Sequence, residues 1–118
     1  MRKGPTARTL FLSLDGELTE DSLERQMKPI DATLAASKLT HRLLIDANAM
    51  TGYTSEARGA FVDWHRTNKG RLGRVAIVTE RMLWHMVIRA MAMASGQQMR
   101  PFSDRTEAEA WLLEPGDT

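Results

Sequence analysis

The fold is decided by Leu43-Leu44-Ile45-Asp46-Ala47-Asn48-Ala49-Met50-Thr51-Gly52-Tyr53-Thr54-Ser55-Glu56. Three consecutive apolar residues at its start predict a strand that is buried on both faces, as in the centre of a parallel sheet. Asp46 ends the predicted strand, a polar loop follows, and Thr54 is a suitable N-cap for a helix. Loops at the carboxyl ends of such strands are the usual place for function. The segment therefore indicates both a fold class and where a site is expected.

The flanking segments repeat this strand-to-helix pattern. Every second residue of 9–14 is leucine, and Thr9, Phe11 and Ser13 lie between on the other side, a period of two that predicts a strand. Asp15-Gly16 predicts a turn into a short return strand. Helical spacing follows at about 20–37, where Pro29 is expected to kink or divide the helix. Strands at 75–78 and 99–102 alternate with helices after Thr54, at about 80–95 and after residue 104. The order predicts an α/β fold with a mainly parallel sheet of four to five strands and about four helices packed on it.

Length and composition indicate one ordinary globular domain. We expect a flexible N-terminal tail at 1–6 and a single domain at 7–118. The net charge of +1, from 16 basic and 15 acidic side chains, produces no field to attract nucleic acid or acidic lipid. The absence of Cys excludes disulfides and thiolate chemistry. The longest apolar-rich stretch, 82–94, is too short to span a bilayer, and no signal peptide is recognised, so we expect a cytoplasmic protein.

Motifs for catalysis and metal binding are missing from the sequence. His41, His65 and His85 lie in different predicted elements, without the spacing of a metal site. There is no G-x-S-x-G elbow and no glycine-rich phosphate loop. The basic residues around 66–74 lack an aromatic platform for bases. We therefore expect a non-catalytic protein with no metal, no cofactor and no nucleic-acid partner.

The helix predicted at about 80–95 has apolar residues, many of them methionine, on most of its sides. Such a helix is usually buried. The alternative is a groove for a ligand or a partner, because methionine-rich surfaces adapt to varied partners. That alternative predicts a pocket for a small apolar ligand or a nucleotide, lined by Phe61, Met82, Trp84, His85, Met86 and Arg89.

Three motifs, in this order and spacing, resemble STAS domains, and among them the SpoIIAA-like type of anti-sigma-factor antagonist. Gly16-Glu17-Leu18-Thr19 resembles the turn after their first strand, and residues 43–56 resemble their central strand and functional loop. Phe102-Ser103-Asp104, followed by Ala108-Glu109-Ala110-Trp111-Leu112, resembles their closing strand and helix. The resemblance covers nearly the whole chain. It implies a small, non-catalytic bacterial module that binds a protein partner and reports a signal.

The resemblance also implies where a partner, such as a kinase-like or signalling protein, would dock. The expected surface is the loop and helix start after the central strand, with Asp46, Asn48, Tyr53, Thr54, Ser55 and Glu56. In phosphoswitch members a serine near this helix start is phosphorylated. That position falls at Glu56 here, and the usual Asp-Ser-Ser-Gly run is replaced, so Ser55 and Thr54 are the candidate phosphoacceptors. The alternatives are that Asp46 and Thr54 only bond nearby backbone, and that the chain self-associates as a homodimer.

Overall fold

Strands and helices alternate along the chain as the sequence predicts. The structure, a computed structural model, describes residues 8–114, so the tail predicted at 1–6 and the closing Pro115-Gly116 lie outside the described residues. The elements are β1 (Arg8–Leu18), α1 (Glu20–Ala35), β2 (His41–Tyr53), α2 (Ser55–Asn68), a 3-10 turn (Lys69–Arg71), β3 (Leu72–Val78), α3 (Met82–Ser95), β4 (Gln98–Phe102) and α4 (Arg105–Leu113).

The four strands form one sheet in the order β1-β2-β3-β4, and every neighbouring pair is parallel. Each strand therefore pairs with the next one along the chain. Because crossovers between parallel strands are right-handed, this order places α1, α2 and α3 on the same face of the sheet. α4 follows the last strand and packs on the opposite face, against β2, β3 and β4. The predicted fold class, an α/β fold with a parallel sheet and four helices, is confirmed.

Burial of the central strand on both faces is also confirmed. Leu43 and Ile45 belong to the core beneath α1, α2 and α3, whereas Leu44 belongs to the core beneath α4. All three side chains are almost fully buried. In β3, Ile77 and Val78 divide between the two cores in the same way. The consecutive apolar residues of the sequence thus fill both layers, because successive side chains of a strand point to opposite faces.

Two predicted features of β1 and β2 are wrong. The turn at Asp15-Gly16 does not occur, because β1 continues to Leu18 with Gly16 in the left-handed region at φ 70°. The polar loop after Asp46 is also strand, since β2 continues to Tyr53. Between residues 46 and 52 the pairing with β1 shifts twice, and each time β2 contributes one more residue than β1. The predicted loop is therefore a pair of β-bulges, which bend a strand without ending its pairing.

The helices also depart from prediction at two points. α1 is one helix from Glu20 to Ala35, so Pro29 does not divide it. Pro29 lies on the exposed face, and its carbonyl accepts a bond of 3.1 Å from the Thr33 hydroxyl. α3 begins at Met82, not at Glu80, and no side chain caps it. Thr79, which precedes this helix, is buried, and its hydroxyl accepts from the Arg81 amide at 3.2 Å.

Candidate functional site

An apolar cleft opens at the carboxyl ends of β1 and β2, between α2 and α3. It is a cavity of about 70 Å³, or about 530 Å³ of empty space when its open mouth is included. Its lining comes from five elements and consists of Leu14, Leu18, Ile45, Ala47, Met50, Tyr53, Ala57, Arg58, Phe61, Ile77, Trp84, Val87, Ile88 and Met91. Eleven of these are purely apolar side chains, and the exceptions, Tyr53, Arg58 and Trp84, have long apolar stems or rings.

The bulges of β2 and the start of α2 create this space. Ala47 and Met50 are buried, whereas the two residues between them are exposed, a pattern that regular alternation does not produce. The bulge thus turns both apolar side chains towards the helices. The Thr54 hydroxyl caps α2 by accepting from the Ala57 amide at 3.0 Å, which places Ala57 against the cleft. Because Ala47 and Ala57 are small, the strand and the helix leave a gap between them.

The mouth of the cleft combines aromatic rings with positive charge. Tyr53 and Trp84 meet edge to face, with ring centroids 5.6 Å apart. The Arg81 guanidinium lies 4.3 Å from the Trp84 ring centroid and donates a bond of 2.6 Å to the Met50 carbonyl. Arg58 contributes to the lining, and within residues 8–114 it makes no ion pair. The apolar interior is therefore bordered by cationic groups.

Two of the predicted docking residues hold the backbone at the end of β2. The Asp46 carboxylate accepts from the Asn48 amide at 2.9 Å. The Asn48 side-chain oxygen accepts from the Glu80 amide, also at 2.9 Å. Asp46 and Asn48 therefore stabilise the first bulge and tie it to the β3–α3 connection. Bonding of nearby backbone by Asp46 is the alternative to partner docking that the sequence analysis left open.

The other four predicted docking residues lie together at the start of α2. Tyr53 is half-buried against Trp84, and the Thr54 hydroxyl is engaged as the helix cap. Ser55 and Glu56 are exposed on the first turn of α2. The candidate phosphoacceptors thus differ in environment: the Thr54 oxygen bonds backbone, whereas Ser55 presents its hydroxyl to solvent.

The cleft contains two of the six residues predicted for a ligand pocket, Phe61 and Trp84. Met82, Met86 and Arg89 are exposed on other sides of α3. His85 is buried, and its Nε2 bonds the Thr79 carbonyl at 2.9 Å. The cleft therefore does not bring these six residues together. A helix presents only one side to a cleft, and here that side carries Trp84, Val87, Ile88 and Met91.

The prediction that α3 is buried on most sides is wrong as well. Four of its large apolar side chains are exposed to 64–86% of their surface: Met82, Leu83, Met86 and Met93. Monomeric proteins rarely expose large apolar side chains in a continuous group, and such groups mark interaction surfaces. The sequence shows an excess of methionine in this helix, but it does not show that these side chains point to solvent.

Within residues 8–114 no three His, Asp or Glu side chains are grouped so that they could hold a metal ion. No helix in the same range is long and apolar enough to cross a bilayer.

Comparisons with known proteins identify the class. The sequence profile of the SpoIIAA-like family matches residues 9–113, so the chain belongs to the SpoIIAA-like family and is a STAS-type domain. Its fold is similar to that of an uncharacterised protein from Shewanella loihica PV-4 that has a SpoIIAA-like fold. The two superpose with a TM-score of 0.71 at 22% sequence identity, over 88% of this chain and 83% of that chain. At this identity the likeness shows the fold alone. No curated protein matches the chain.

Proposed function

We propose that this domain is a non-catalytic binding module that takes a small amphiphile into the cleft between α2 and α3. An apolar end enters the cleft, and an anionic end remains at the mouth near Arg58 and Arg81. The observation that supports this proposal is the arrangement itself: an apolar interior open to solvent, with cationic groups at its border.

The size of the cleft limits the ligand. A cavity of about 70 Å³ accommodates several water-sized groups. A short alkyl end or a single ring fits this space, while the rest of the ligand extends through the mouth. Each methylene transferred from water into the cleft contributes about 0.8 kcal/mol, so a few of them and one charge contact suffice for weak, specific binding.

Titration with matched ligands tests this proposal. Octanoate and octanol share the alkyl chain and differ in charge. We expect both to change the fluorescence of Trp84 at the mouth, and octanoate to bind several-fold more tightly because of the arginines. Ala57→Leu adds three carbons inside the cleft and is expected to weaken octanoate binding about tenfold or more. Ala94→Leu, exposed on α3 and outside the cleft, is the matched control. Equal binding by all three proteins would contradict the proposal.

Docking of a protein partner is the second candidate function. The N-termini of α2 and α3 both lie at the carboxyl edge of the sheet, because both helices follow parallel strands. Ser55 and Glu56 are exposed at one of these N-termini, and Met82, Leu83 and Met86 at the other. A partner that covers this edge would contact a polar rim and an apolar centre, as is typical of protein interfaces. Phosphorylation of Ser55 would add negative charge at a helix N-terminus, where it is favourable.

Variants of α3 distinguish this docking from ligand binding. Proteins captured from the native host by the wild-type domain should be lost with Met86→Ser and retained with Met93→Ser, which lies one turn from the distal end of the same helix. Each variant replaces one exposed methionine by serine, so the two variant proteins have the same net charge and differ from the wild type by the same type of substitution. Retention of the partner by both variants would place the docking surface elsewhere. Octanoate binding should be unchanged in both, since neither residue lines the cleft.

A further inference from the structure

The two edges of the sheet differ in their ability to accept another strand. β4 is one edge, and it has five residues, one of which, Pro101, has no N–H to donate. β1 is the other edge, with eleven residues and no proline. Natural proteins protect long edge strands with prolines, inward-pointing charges or covering elements. Residues 9–14 of β1 contain no proline and no charged side chain.

The direction of the free backbone groups on β1 follows from one side chain of α1. The Gln26 amide bonds both backbone groups of Asp15: its Oε1 accepts from the Asp15 N–H at 3.0 Å, and its Nε2 donates to the Asp15 carbonyl at 3.2 Å. Gln26 lies outside the sheet, so both groups of Asp15 point away from β2. Backbone groups alternate along a strand, so those of Thr9, Phe11 and Ser13 point the same way. Within residues 8–114 no strand pairs with this edge.

We propose that this edge, residues 9–13 of β1, pairs antiparallel with the same edge of a second copy of the chain. The two-fold axis passes beside Phe11. Phe11 then faces Phe11 of the second copy, and Thr9 faces Ser13. These three residues of each copy bring one donor and one acceptor apiece, so about six backbone hydrogen bonds join two four-stranded sheets into one.

The second copy is favoured over a foreign strand because the edge is complementary to itself. An isologous interface requires that residue i meets residue j and that j meets i, and this register satisfies it with side chains on matching faces. It places no like charges opposite each other between residues 9 and 13. It also covers Phe11, which is 54% exposed on the α4 side of the sheet and has the Arg105 guanidinium 5.1 Å from its ring centroid. Gln26 ends the pairing at Ser13, because it already occupies the groups of Asp15.

Amide hydrogen exchange of the full chain, followed by NMR at low and high protein concentration, tests this register. We expect the amides of Thr9, Phe11 and Ser13 to exchange rapidly when dilute and at least about tenfold more slowly when concentrated. Those of Leu10 and Leu12 point to β2 and should be protected at both concentrations, so they are the internal control. A chain that stays monomeric, or a dimer in which the three outer amides remain unprotected, would overturn the proposal.

A charge variant provides the second measurement. Phe11→Lys brings two positive charges together at the axis and should weaken self-association at least about tenfold in sedimentation experiments. Ala94→Lys adds the same charge on the exposed side of α3 and should leave self-association unchanged. Equal association of both variants would overturn the proposal, as would protection of the outer amides only after addition of an extended foreign peptide.

Discussion

Acid sensitivity of the fold is expected from one histidine of α2. His65 is fully buried, and its ring packs against Phe61 and Trp64 with centroid separations of 4.4 and 4.8 Å. Its Nδ1 donates to the Phe61 carbonyl at 3.0 Å, whereas its Nε2 has no hydrogen-bond partner within the described chain. Burial lowers the pKa of His65 from 6.5 to about 4, although the bond to Phe61 acts in the opposite direction. The ring is therefore neutral in the folded protein at neutral pH.

The sign of the effect on stability follows from this difference in pKa. Between pH 6.5 and about 4 the unfolded chain binds a proton at His65 that the folded chain does not bind. The free energy of unfolding therefore falls as the pH decreases through this window. At about 1.4 kcal/mol per pKa unit, the loss between pH 7 and pH 4 is about 3 kcal/mol. This is a large part of the stability of a small domain.

Urea unfolding of the wild type and of His65→Leu, at several pH values between 7 and 4, measures this effect. Leucine has a similar volume and does not titrate. We expect the variant to lose about 3 kcal/mol less than the wild type across the window, because the shared titrations of other groups cancel in the difference. Tryptophan fluorescence reports the transition. Parallel curves for the two proteins would refute the reasoning, since they would mean that His65 titrates alike in the folded and unfolded chains.

Three further predictions concern caps, glycines and the cleft. Thr54→Ala should lower the free energy of unfolding by about 1 kcal/mol in chemical denaturation, because it removes the hydroxyl that accepts from the Ala57 amide at the start of α2. Ser55→Ala, at an exposed position, should lower it by less than about 0.5 kcal/mol. Gly96→Ala should destabilise by about 1 kcal/mol or more, because Gly96 has φ 74° and an added Cβ would lie 3.0 Å from a lysine Nζ; Gly59→Ala, in α2 with nothing within 4 Å, should stabilise by about 0.5–1 kcal/mol in the same assay. Trp84→Ala should cost about 1–3 kcal/mol, between the values for an exposed and a core tryptophan, because Trp84 is half-buried and lines the cleft.

The fold was predictable because its signals are local and redundant. Three apolar residues at 43–45 identify a strand with two buried faces, and Thr54, predicted as an N-cap, caps the helix that follows this strand. Each strand pairs with its neighbour in sequence, so no long-range choice of partner had to be made. The handedness of crossovers then determines the layers.

The end of β2 was not predictable in the same way. Asp46 and Asn48 have the composition of a loop, and the sequence alone does not show that the neighbouring strand extends as far. The decisive contacts are distant along the chain: β1 pairs with this segment through Leu18, and Asn48 bonds the Glu80 amide. Such pairing holds polar residues in a strand by means of bulges. The sequence therefore indicated the edge of the sheet at which the cleft opens, but it did not indicate the side chains that line the cleft.

In α3 a polar residue is buried and methionines are exposed, which is the reverse of the usual pattern. His85, the polar residue of its first turns, points inward and bonds the Thr79 carbonyl at 2.9 Å. Met82 and Met86, at the neighbouring positions, point outward. If burial of apolar area alone determined the rotation of this helix, the methionines would be inside, at about 1.5–3 kcal/mol for each. The rotation is instead set by Trp84 and Ile88, which occupy the cleft and the core, and by the bond that His85 makes at the end of β3. Because Trp84, Ile88 and His85 anchor the helix in this rotation, Met82 and Met86 remain exposed at that energetic cost, and the Met82 sulfur accepts a bond of 3.7 Å from the Ser103 hydroxyl.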